Sequence, residues 1–213
     1  MRLAILGSTG FVGKILVTKA LKAGHQVKAL ARSPEKLGDL TNQVEVIQGD
    51  MFEPATLQTL IKDVDAVISV AGPPLTGRHD SNKHGNAMHF VVEAMKAANV
   101  TRLITITGAA AKVPGQPLGL KQSLLRFVLS ILKPDVIKTK DIELKIISAS
   151  GLNWTVIRPP LIGTGKPTGK VAALESDMAG TKIDVEDITD FILTLLQTHE
   201  WDRKAPVVAS REC

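Results

Sequence analysis

The sequence predicts an α/β protein with a doubly wound parallel sheet in three layers, with helices on both faces. Short β-branched runs alternate with longer segments of helical periodicity, as in repeated βαβ units. The first run, residues 3–6, is apolar at every position, which is typical of a strand covered on both faces. A glycine-rich turn follows that run directly. The length of 213 residues suits one core, so we expect a single domain over 1–213.

The elements follow one another as strand, helix, strand along most of the chain. The predicted strands cover 3–6, 26–30, 44–48, 66–70, 103–107 and 154–158, and the predicted helices cover 11–23, 57–62, 82–99, 120–132 and 184–197. In the first helix Val12, Leu16 and Ala20 line one side, and Gly24 is a suitable stop. Asp184 is a plausible N-cap of the last helix. Right-handed crossovers favour the strand order 3-2-1-4-5-6, with the ligand at the switch point between strands 1 and 4.

The composition restricts the possible functions. The formal net charge is +5, but basic residues are spread along the chain and aromatic residues make up only 3%, so we expect no nucleic-acid partner. A phosphate-bearing ligand is the simpler explanation of the charge. The single cysteine, Cys213, is the last residue, so neither an intramolecular disulfide nor a cysteine metal cluster is expected.

Location and metal binding follow from two further patterns. No segment offers the ~20 continuous apolar residues of a membrane span, and the N-terminus does not resemble a leader, so we expect a cytoplasmic protein. His79, His84 and His89 recur at five-residue intervals, which on a helix does not place them on one face. We therefore predict no metal site. His79 and His84, just beyond the fourth-strand loop, could approach the cofactor, but surface positions are favoured for both.

A glycine-rich loop lies between the first strand and the first helix. Its residues are Gly7, Ser8, Thr9, Gly10, Phe11, Val12 and Gly13. The first glycine permits a tight turn, the second allows the backbone to approach a pyrophosphate, and the third allows close helix–strand packing. The helix N-terminus adds partial positive charge. This context predicts a Rossmann-type dinucleotide site, although a merely structural turn is the alternative.

The end of the second strand bears on the choice between NAD(H) and NADP(H). An acidic residue there would bind the ribose 2′-hydroxyl, whereas an arginine favours a 2′-phosphate. No acid occurs between 25 and 34, and the strand is followed by Arg32 and Ser33. Arg32 can grip a phosphate as a fork and Ser33 can add a hydroxyl donor. NADP(H) is therefore preferred, unless Arg32 is only a solvated loop charge.

Four segments together resemble a known family. They are the glycine loop, the turn Ala-Arg-Ser-Pro-Glu-Lys-Leu at 31–37, Gln-Gly-Asp at 48–50, and Ser-Gly-Leu-Asn-Trp-Thr-Val-Ile-Arg-Pro at 150–159. They resemble the atypical short-chain dehydrogenase/reductases, in particular the small NAD(P)-binding proteins related to flavin reductase and biliverdin-IX-beta reductase. The resemblance covers essentially the whole chain.

The resemblance implies further cofactor contacts, in four groups. Residues after the third strand would lie beside the adenine, residues after the fourth would pass along the cofactor, residues of the fifth would lie near the nicotinamide, and residues after the sixth would offer backbone groups to its carboxamide. In that order they are Asp50 and Met51; Ala71, Gly72 and Pro73; Thr105 and Thr107; Pro159, Pro160, Leu161 and Ile162. Asp50 could equally cap the turn into the next helix.

The catalytic pattern of the family is incomplete here. Its Tyr-x-x-x-Lys motif would align Val136 with the tyrosine and Lys140 with the lysine, and the chain contains no tyrosine. Phenolate acid/base catalysis is therefore excluded. Thr107 and Lys140 remain as candidate catalytic residues. Lys140 is either a ribose ligand or a surface charge.

A reaction that needs no protein acid fits this site. A flavin, biliverdin-like tetrapyrrole or quinone can accept hydride if the protein stacks it over the nicotinamide. We therefore predict an NADPH-dependent reductase of a planar conjugated acceptor. A non-catalytic NADP(H) sensor, or an isomerase or dehydratase with tightly held cofactor, are the alternatives.

Residues 112–135 form the expected cover of the acceptor site. Their strongly apolar helix, 120–132, could wall the pocket, meet a partner or touch a membrane, or it could simply pack on the body of the fold. The sequence does not indicate the oligomeric state.

Overall fold

A six-stranded parallel sheet forms the centre of the molecule. The computed structural model describes residues 1–74, 78–175 and 177–211. The sheet strands are β1 (Arg2–Leu6), β2 (Gln26–Ala31), β3 (Glu45–Gln48), β4 (Ala66–Ser69), β5 (Arg102–Ile106) and β6 (Asn153–Ile157). Their order is β3-β2-β1-β4-β5-β6, and all neighbours run parallel. The predicted fold class and strand order are confirmed.

Helices cover both faces of this sheet. They are α1 (Phe11–Lys22), α2 (Pro54–Ile61), α3 (Ser81–Ala97), α4 (Leu120–Leu132), α5 (Pro134–Ala149) and α6 (Val185–Thr194). Leu3 and Ile5 of β1 belong to the core under α1 and α6, whereas Ala4 and Leu6 belong to the core under α2, α3 and α5. This alternation gives the two cores of a three-layer fold and explains why β1 is apolar from Leu3 to Leu6.

Several elements differ from the sequence prediction at their ends. Helix α2 begins at Pro54, three residues before the predicted start, because proline suits the first helical turn. Helix α6 ends at Thr194 instead of 197, and the next turn tightens, with Leu196 N donating to the Leu193 carbonyl at 3.2 Å. Its N-cap is confirmed, because Asp184 Oδ1 accepts from Glu186 N at 2.8 Å.

Other elements carry no prediction from the sequence. A 3₁₀ segment spans Pro34–Asn42, and two short strand pairs lie beyond β6. Strands β7 (Ile162–Gly163) and β9 (Ile183–Asp184) pair parallel, while β8 (Val171–Leu174) and β10 (Val207–Ser210) pair antiparallel. These pairs add a small C-terminal layer beside the carboxyl end of β6.

A buried arginine joins that layer to the main sheet. Arg158, only 2% exposed, donates through Nε to the Ala205 carbonyl and through Nη2 to the Glu175 carbonyl, both at 2.6 Å. Burial lowers the pKa of Arg158 to about 10, so the side chain keeps its charge at neutral pH. Cys213 lies outside the described residues. Among the helices that the structure describes, none is long and apolar enough to cross a membrane.

Candidate functional site

The glycine loop is held in shape by contacts that tolerate no side chain at two positions. Gly7 has a φ of +81°, and a Cβ there would lie 2.6 Å from the Ala71 backbone nitrogen. A Cβ on Gly13 would overlap the Gly7 carbonyl oxygen. Gly10 differs, because its φ of −76° suits any residue and its Cβ would lie 3.3 Å from the same oxygen. Gly10 N donates to that carbonyl at 3.0 Å and closes the turn.

The start of α1 is available to an anion. Gly10 is the N-cap and offers no side chain, and the first turn carries no acidic residue. The first backbone N–H groups of any helix have no partner within it, so those of Phe11 and Val12 can face a ligand. The two side chains do not line the adjacent cavity, and Phe11 is 52% exposed. Whatever these residues contribute to binding must come from the backbone.

Ser8 has an internal role. Its side chain is fully buried, and Oγ donates to the Leu30 carbonyl at 2.7 Å. The bond ties the loop to the end of β2. Ser8 therefore shapes the loop, and its hydroxyl is already used.

A cavity of about 420 Å³ opens beside the loop, at the carboxyl ends of β1, β2, β3 and β4. It brings together eight of the residues predicted from sequence and seven that were not. The predicted ones are Gly7, Thr9, Gly10, Arg32, Asp50, Met51, Ala71 and Gly72; the others are Leu6, Leu30, Gly49, Phe52, Val70, Pro74 and His84. Ser33 and Pro73 adjoin this set in sequence but do not line the cavity.

Arg32 and Asp50 face each other across the rim of the cavity. The Arg32 side chain is 78% exposed, and its Nη1 lies 3.8 Å from Asp50 Oδ2, a loose pair that leaves the guanidinium free to turn. Asp50 also accepts a long bond of 3.4 Å from Phe52 N. Asp50 therefore caps the turn weakly, and its place beside the adenine stays a prediction. Ser33 caps no amide of the 3₁₀ segment that follows it.

Two buried hydroxyls, those of Ser69 and Thr107, lie at the carboxyl ends of β4 and β5. Thr105 is buried on β5 and pairs in register with Ser69 on β4. Within the described chain, neither Ser69 Oγ nor Thr107 Oγ1 has a hydrogen-bond partner, although both atoms are buried. A buried hydroxyl left unpaired is costly, so these two atoms are candidates for contact with a ligand.

The segment after β6 is partly engaged by the fold. The Pro159 carbonyl accepts from Ala109 N at 3.0 Å, and the Leu161 carbonyl accepts from Ile183 N at 2.8 Å. Ile162 belongs to β7, and Pro160 is half-buried between them. None of these four residues, and neither Thr105 nor Thr107, lines the 420 Å³ cavity.

Lys140 lies on α5 and is buried. It is 9% exposed, and its Nζ donates to Glu143 Oε2 at 2.8 Å. The interpretation of Lys140 as a plain surface charge is wrong, because the residue is buried. A buried ammonium group needs a partner of opposite charge, and Glu143 is that partner. A contact with ribose stays a prediction.

A family model described as NAD(P)H-binding matches residues 7–199, from the first glycine of the loop to beyond α6. The chain belongs to this NAD(P)H-binding family. The match agrees with the resemblance to NAD(P)-binding short-chain dehydrogenase/reductases drawn from the sequence.

Named relatives of this NAD(P)H-binding protein differ from it considerably. It is 26% identical to (4-alkanoyl-5-oxo-2,5-dihydrofuran-3-yl)methyl phosphate reductase of Streptomyces griseus, over 98% of this chain and 67% of the relative. The chain spans about half the length of another curated relative that it matches.

Solved structures share the fold. ChuY, an anaerobillin reductase from Escherichia coli O157:H7, superposes with a TM-score of 0.84 at 17% sequence identity, and the alignment covers 100% of this chain and 98% of ChuY. A short-chain dehydrogenase/reductase from Veillonella parvula in complex with NADP superposes with a TM-score of 0.80 at 16% identity. That alignment covers 98% of this chain and 94% of the Veillonella chain.

The smaller cavity could hold the diphosphate half of NAD(P)H. The loop places the first amides of α1 at its edge, with no side chain at Gly10, and Arg32 lies exposed at the rim. A larger cavity of about 540 Å³ lies in the C-terminal layer, but no residue of the glycine loop lines it. The smaller cavity (the nucleotide cavity) is therefore the candidate cofactor site.

Two of the lining residues outside the predicted set, Phe52 and His84, carry aromatic rings. The favoured surface position for His84 is wrong, because the residue is half-buried, lines the cavity and packs edge-on against Phe52 at 5.2 Å; its approach to the cofactor stays a prediction. It also meets the His79 ring at 4.9 Å, since His79 precedes α3 and the helical spacing does not apply to it. Phe52 and His84 carry no motif, so only the packing of α3 on the 50–53 turn could reveal them.

Residues 112–135 do not line the nucleotide cavity. The expectation that helix 120–132 packs its apolar face on the body of the fold is wrong, because Leu124, Phe127 and Ile131 are all more than 60% exposed. Whether the segment covers an acceptor stays a prediction.

Proposed function

We propose that this protein is an NADPH-dependent reductase that transfers hydride to a planar conjugated acceptor: a flavin, a biliverdin-like tetrapyrrole or a quinone. The observation that carries the proposal is a well-formed phosphate cradle in a chain that contains no tyrosine. Without a phenol, the acid/base step of tyrosine-dependent dehydrogenases has no residue to perform it. A conjugated ring delocalises the added electrons, and water can deliver the proton.

In this proposal the cavity beside the glycine loop holds the adenosine diphosphate half of NADP(H). The amides at the start of α1 bind the pyrophosphate, and Arg32 with Ser33 binds the 2′-phosphate. Asp50 and Met51 flank the adenine. Ala71, Gly72 and Pro73, which follow β4, border the path toward the nicotinamide.

The remaining site residues act at the nicotinamide end. When bound, the nicotinamide supplies the hydride, that is, one proton and two electrons. Thr107 Oγ1, buried with no partner in the described chain, donates a hydrogen bond to the carboxamide or to the acceptor. Thr105 lies beside it on β5, and the backbone of 159–162 faces the carboxamide. Lys140 holds the ribose while it keeps its bond to Glu143.

Residues 112–135 are proposed to exclude water from the acceptor. Gln122 and Arg126 of α4 bind the carbonyls of Ala109 and Ala110 at 3.2 and 3.1 Å. The segment is thus fastened to the loop that leaves β5, two residues beyond Thr107. A cover placed there lies next to the proposed acceptor position.

The names of similar proteins support a reductase. The relative from Streptomyces griseus is named a reductase, and ChuY is named an anaerobillin reductase. The NADP complex of a protein with the same fold supports the choice of cofactor.

Anaerobic stopped-flow oxidation of NADPH tests the proposal, with FMN, FAD, biliverdin and a simple quinone as acceptors. We expect oxidation well above the free reaction with at least one of them. Thr107→Val should lower turnover, because it removes the hydrogen bond to the carboxamide or to the acceptor, and Thr107→Ser should restore it. If NADPH binds tightly but every acceptor reacts only at its uncatalysed rate, the reductase is ruled out and the sensor alternative replaces it.

A further inference from the structure

Helix α4 is mounted on the protein by its polar side. Gln122 is 1% exposed; its Nε2 donates to the Ala109 carbonyl and its Oε1 accepts from Gly119 N at 3.0 Å. One turn on, Arg126 forms a two-pronged pair with Asp141, at 2.9 and 2.6 Å. These bonds fix the orientation of the helix about its own axis, since Gln122 and Arg126 are four residues apart and share a face.

The opposite side of α4 is an apolar stripe. Leu120, Leu124, Phe127 and Ile131 are spaced by four, three and four residues and therefore lie in one row. They are 92%, 66%, 63% and 65% exposed. Val128 and Leu132, at 42% and 66%, widen the row on one side. A surface helix normally presents the reverse arrangement, so this stripe calls for a cover, and residues 1–74, 78–175 and 177–211 do not supply one.

The charges around the stripe decide what can cover it. Residues 112–134 contain no aspartate and no glutamate. Lys121, next to Leu120 on α4, is exposed at the edge of the stripe, and Lys112 is exposed in the loop that precedes the helix. The next acids along the chain are already engaged: Asp135 accepts from Ser81 Oγ at 3.4 Å, and Asp141 holds Arg126. A second copy related by a two-fold axis would bring these lysines together with no acid in this segment to pair with them.

An anionic bilayer complements both features. Its acyl chains would take up the leucine, phenylalanine and isoleucine side chains, and its headgroups would pair with the lysines at the edge. At 13 residues the helix is about 20 Å long, which is too short to span a bilayer but suits a position in the plane of the interface.

We propose that α4 docks this protein on the surface of an anionic membrane, with the stripe Leu120, Leu124, Phe127 and Ile131 inserted and the polar side attached to the protein. The proposal does not depend on the reductase activity. It assigns the helix a lipid surface as its cover, while Gln122 and Arg126 keep the body of the protein on the aqueous side.

Vesicle flotation with the full chain tests this. Vesicles of phosphatidylcholine with phosphatidylglycerol are compared with vesicles of phosphatidylcholine alone, at low and high salt. Phe127→Ser is the test variant and Phe90→Ser the matched control, because Phe90 is 37% exposed on α3, away from the stripe. Both positions are exposed, so both variants should fold, and thermal melting verifies this. Light scattering after gel filtration gives the mass without vesicles.

We expect binding to the anionic vesicles that weakens with salt, a drop of about tenfold or more for Phe127→Ser, and no change for Phe90→Ser. Lys121→Glu should weaken binding to the anionic vesicles and should not change binding to the neutral vesicles. Absence of binding, or an equal loss for both phenylalanine variants, would overturn the proposal. Equal binding to neutral vesicles would overturn the assignment to anionic lipid. A dimer that Phe127→Ser dissociates would show that a second copy covers the stripe instead.

Discussion

Replacing Gly10 by valine separates the ligand-binding role of the loop from its structural role. Gly10 has an extended backbone, with φ −76° and ψ 175°, which β-branched residues adopt readily. Its Cβ would meet only the Gly7 carbonyl oxygen, at 3.3 Å. We therefore expect the variant to fold with a change in stability below about 1 kcal/mol, as at most surface positions.

Cofactor binding should respond very differently. The valine would project from the N-cap of α1 toward the pyrophosphate and push it away from the first-turn amides. Losing one or two hydrogen bonds to a charged group, at roughly 1.5–3 kcal/mol each, amounts to about 1.5–6 kcal/mol. That corresponds to an increase in Kd between about tenfold and about ten thousandfold or more.

Calorimetry measures the affinity of each variant for NADPH, and thermal melting measures its stability. Gly163→Val is the matched control, because a Cβ at Gly163 meets nothing within 4 Å and the residue lies outside the nucleotide cavity. Gly13→Ala should instead destabilise the fold as well, since its Cβ would overlap the Gly7 carbonyl. If Gly10→Val binds NADPH like the wild type, the placement of the diphosphate at α1 is wrong.

Three further changes test separate parts of the structure. Arg32→Ala should weaken NADPH binding about 10- to 100-fold and leave NADH binding unchanged; equal losses for the two would refute the 2′-phosphate assignment. Burial alone would raise the pKa of Asp187, but hydrogen bonds from Ser210 Oγ and from residues 168–169 outweigh it and lower that pKa. The ionised carboxylate therefore stabilises the fold above the ordinary aspartate pKa, and this contribution is lost as the pH falls through the lowered value. Asp187→Asn should cost about 3 kcal/mol at pH 7, and denaturant melts should show the difference narrowing below about pH 4; a constant difference would contradict this origin. Thr107→Val should leave the stability of the free protein unchanged or slightly raised, since it removes a buried hydroxyl that lacks a partner, and a clear loss in denaturant melts would indicate a partner within the fold.

The sheet and the phosphate loop could be predicted from the sequence because few residue types satisfy their constraints. A strand between two helical layers must be apolar on both faces, and β1 is. The turn after it needs a residue with positive φ at Gly7 and no Cβ at Gly7 and Gly13, and glycine meets both needs. Element ends were less predictable, because Pro54 and the tightened turn after Thr194 act through local geometry rather than periodicity.

The orientation of α4 could not be predicted in the same way. Helical periodicity shows that one side of residues 120–132 is apolar, but it does not say which side meets the protein. That choice depends on Gln122 reaching the Ala109 carbonyl and on Arg126 reaching Asp141, contacts over 13 and 15 residues along the chain. Neither residue belongs to a motif, so the pattern favoured the ordinary inward-facing arrangement.

The nucleotide end and the acceptor end of the proposed site are made of different groups. This difference explains why only the nucleotide end could be predicted from the sequence. The nucleotide end consists of backbone amides, and an amide needs only the absence of a side chain, which glycine records directly in the sequence. In the proposed site the acceptor end would depend on side-chain hydroxyls such as those of Ser69 and Thr107, residue types that occur throughout any protein. Both are buried without a partner in the described chain, which is a property of the packed molecule that costs about 1–3 kcal/mol for each group unless a ligand supplies the missing bond. If the acceptor supplies that bond, the free energy lost in the free protein becomes binding energy, and side-chain chemistry, and not the loop, would determine which ring the protein accepts.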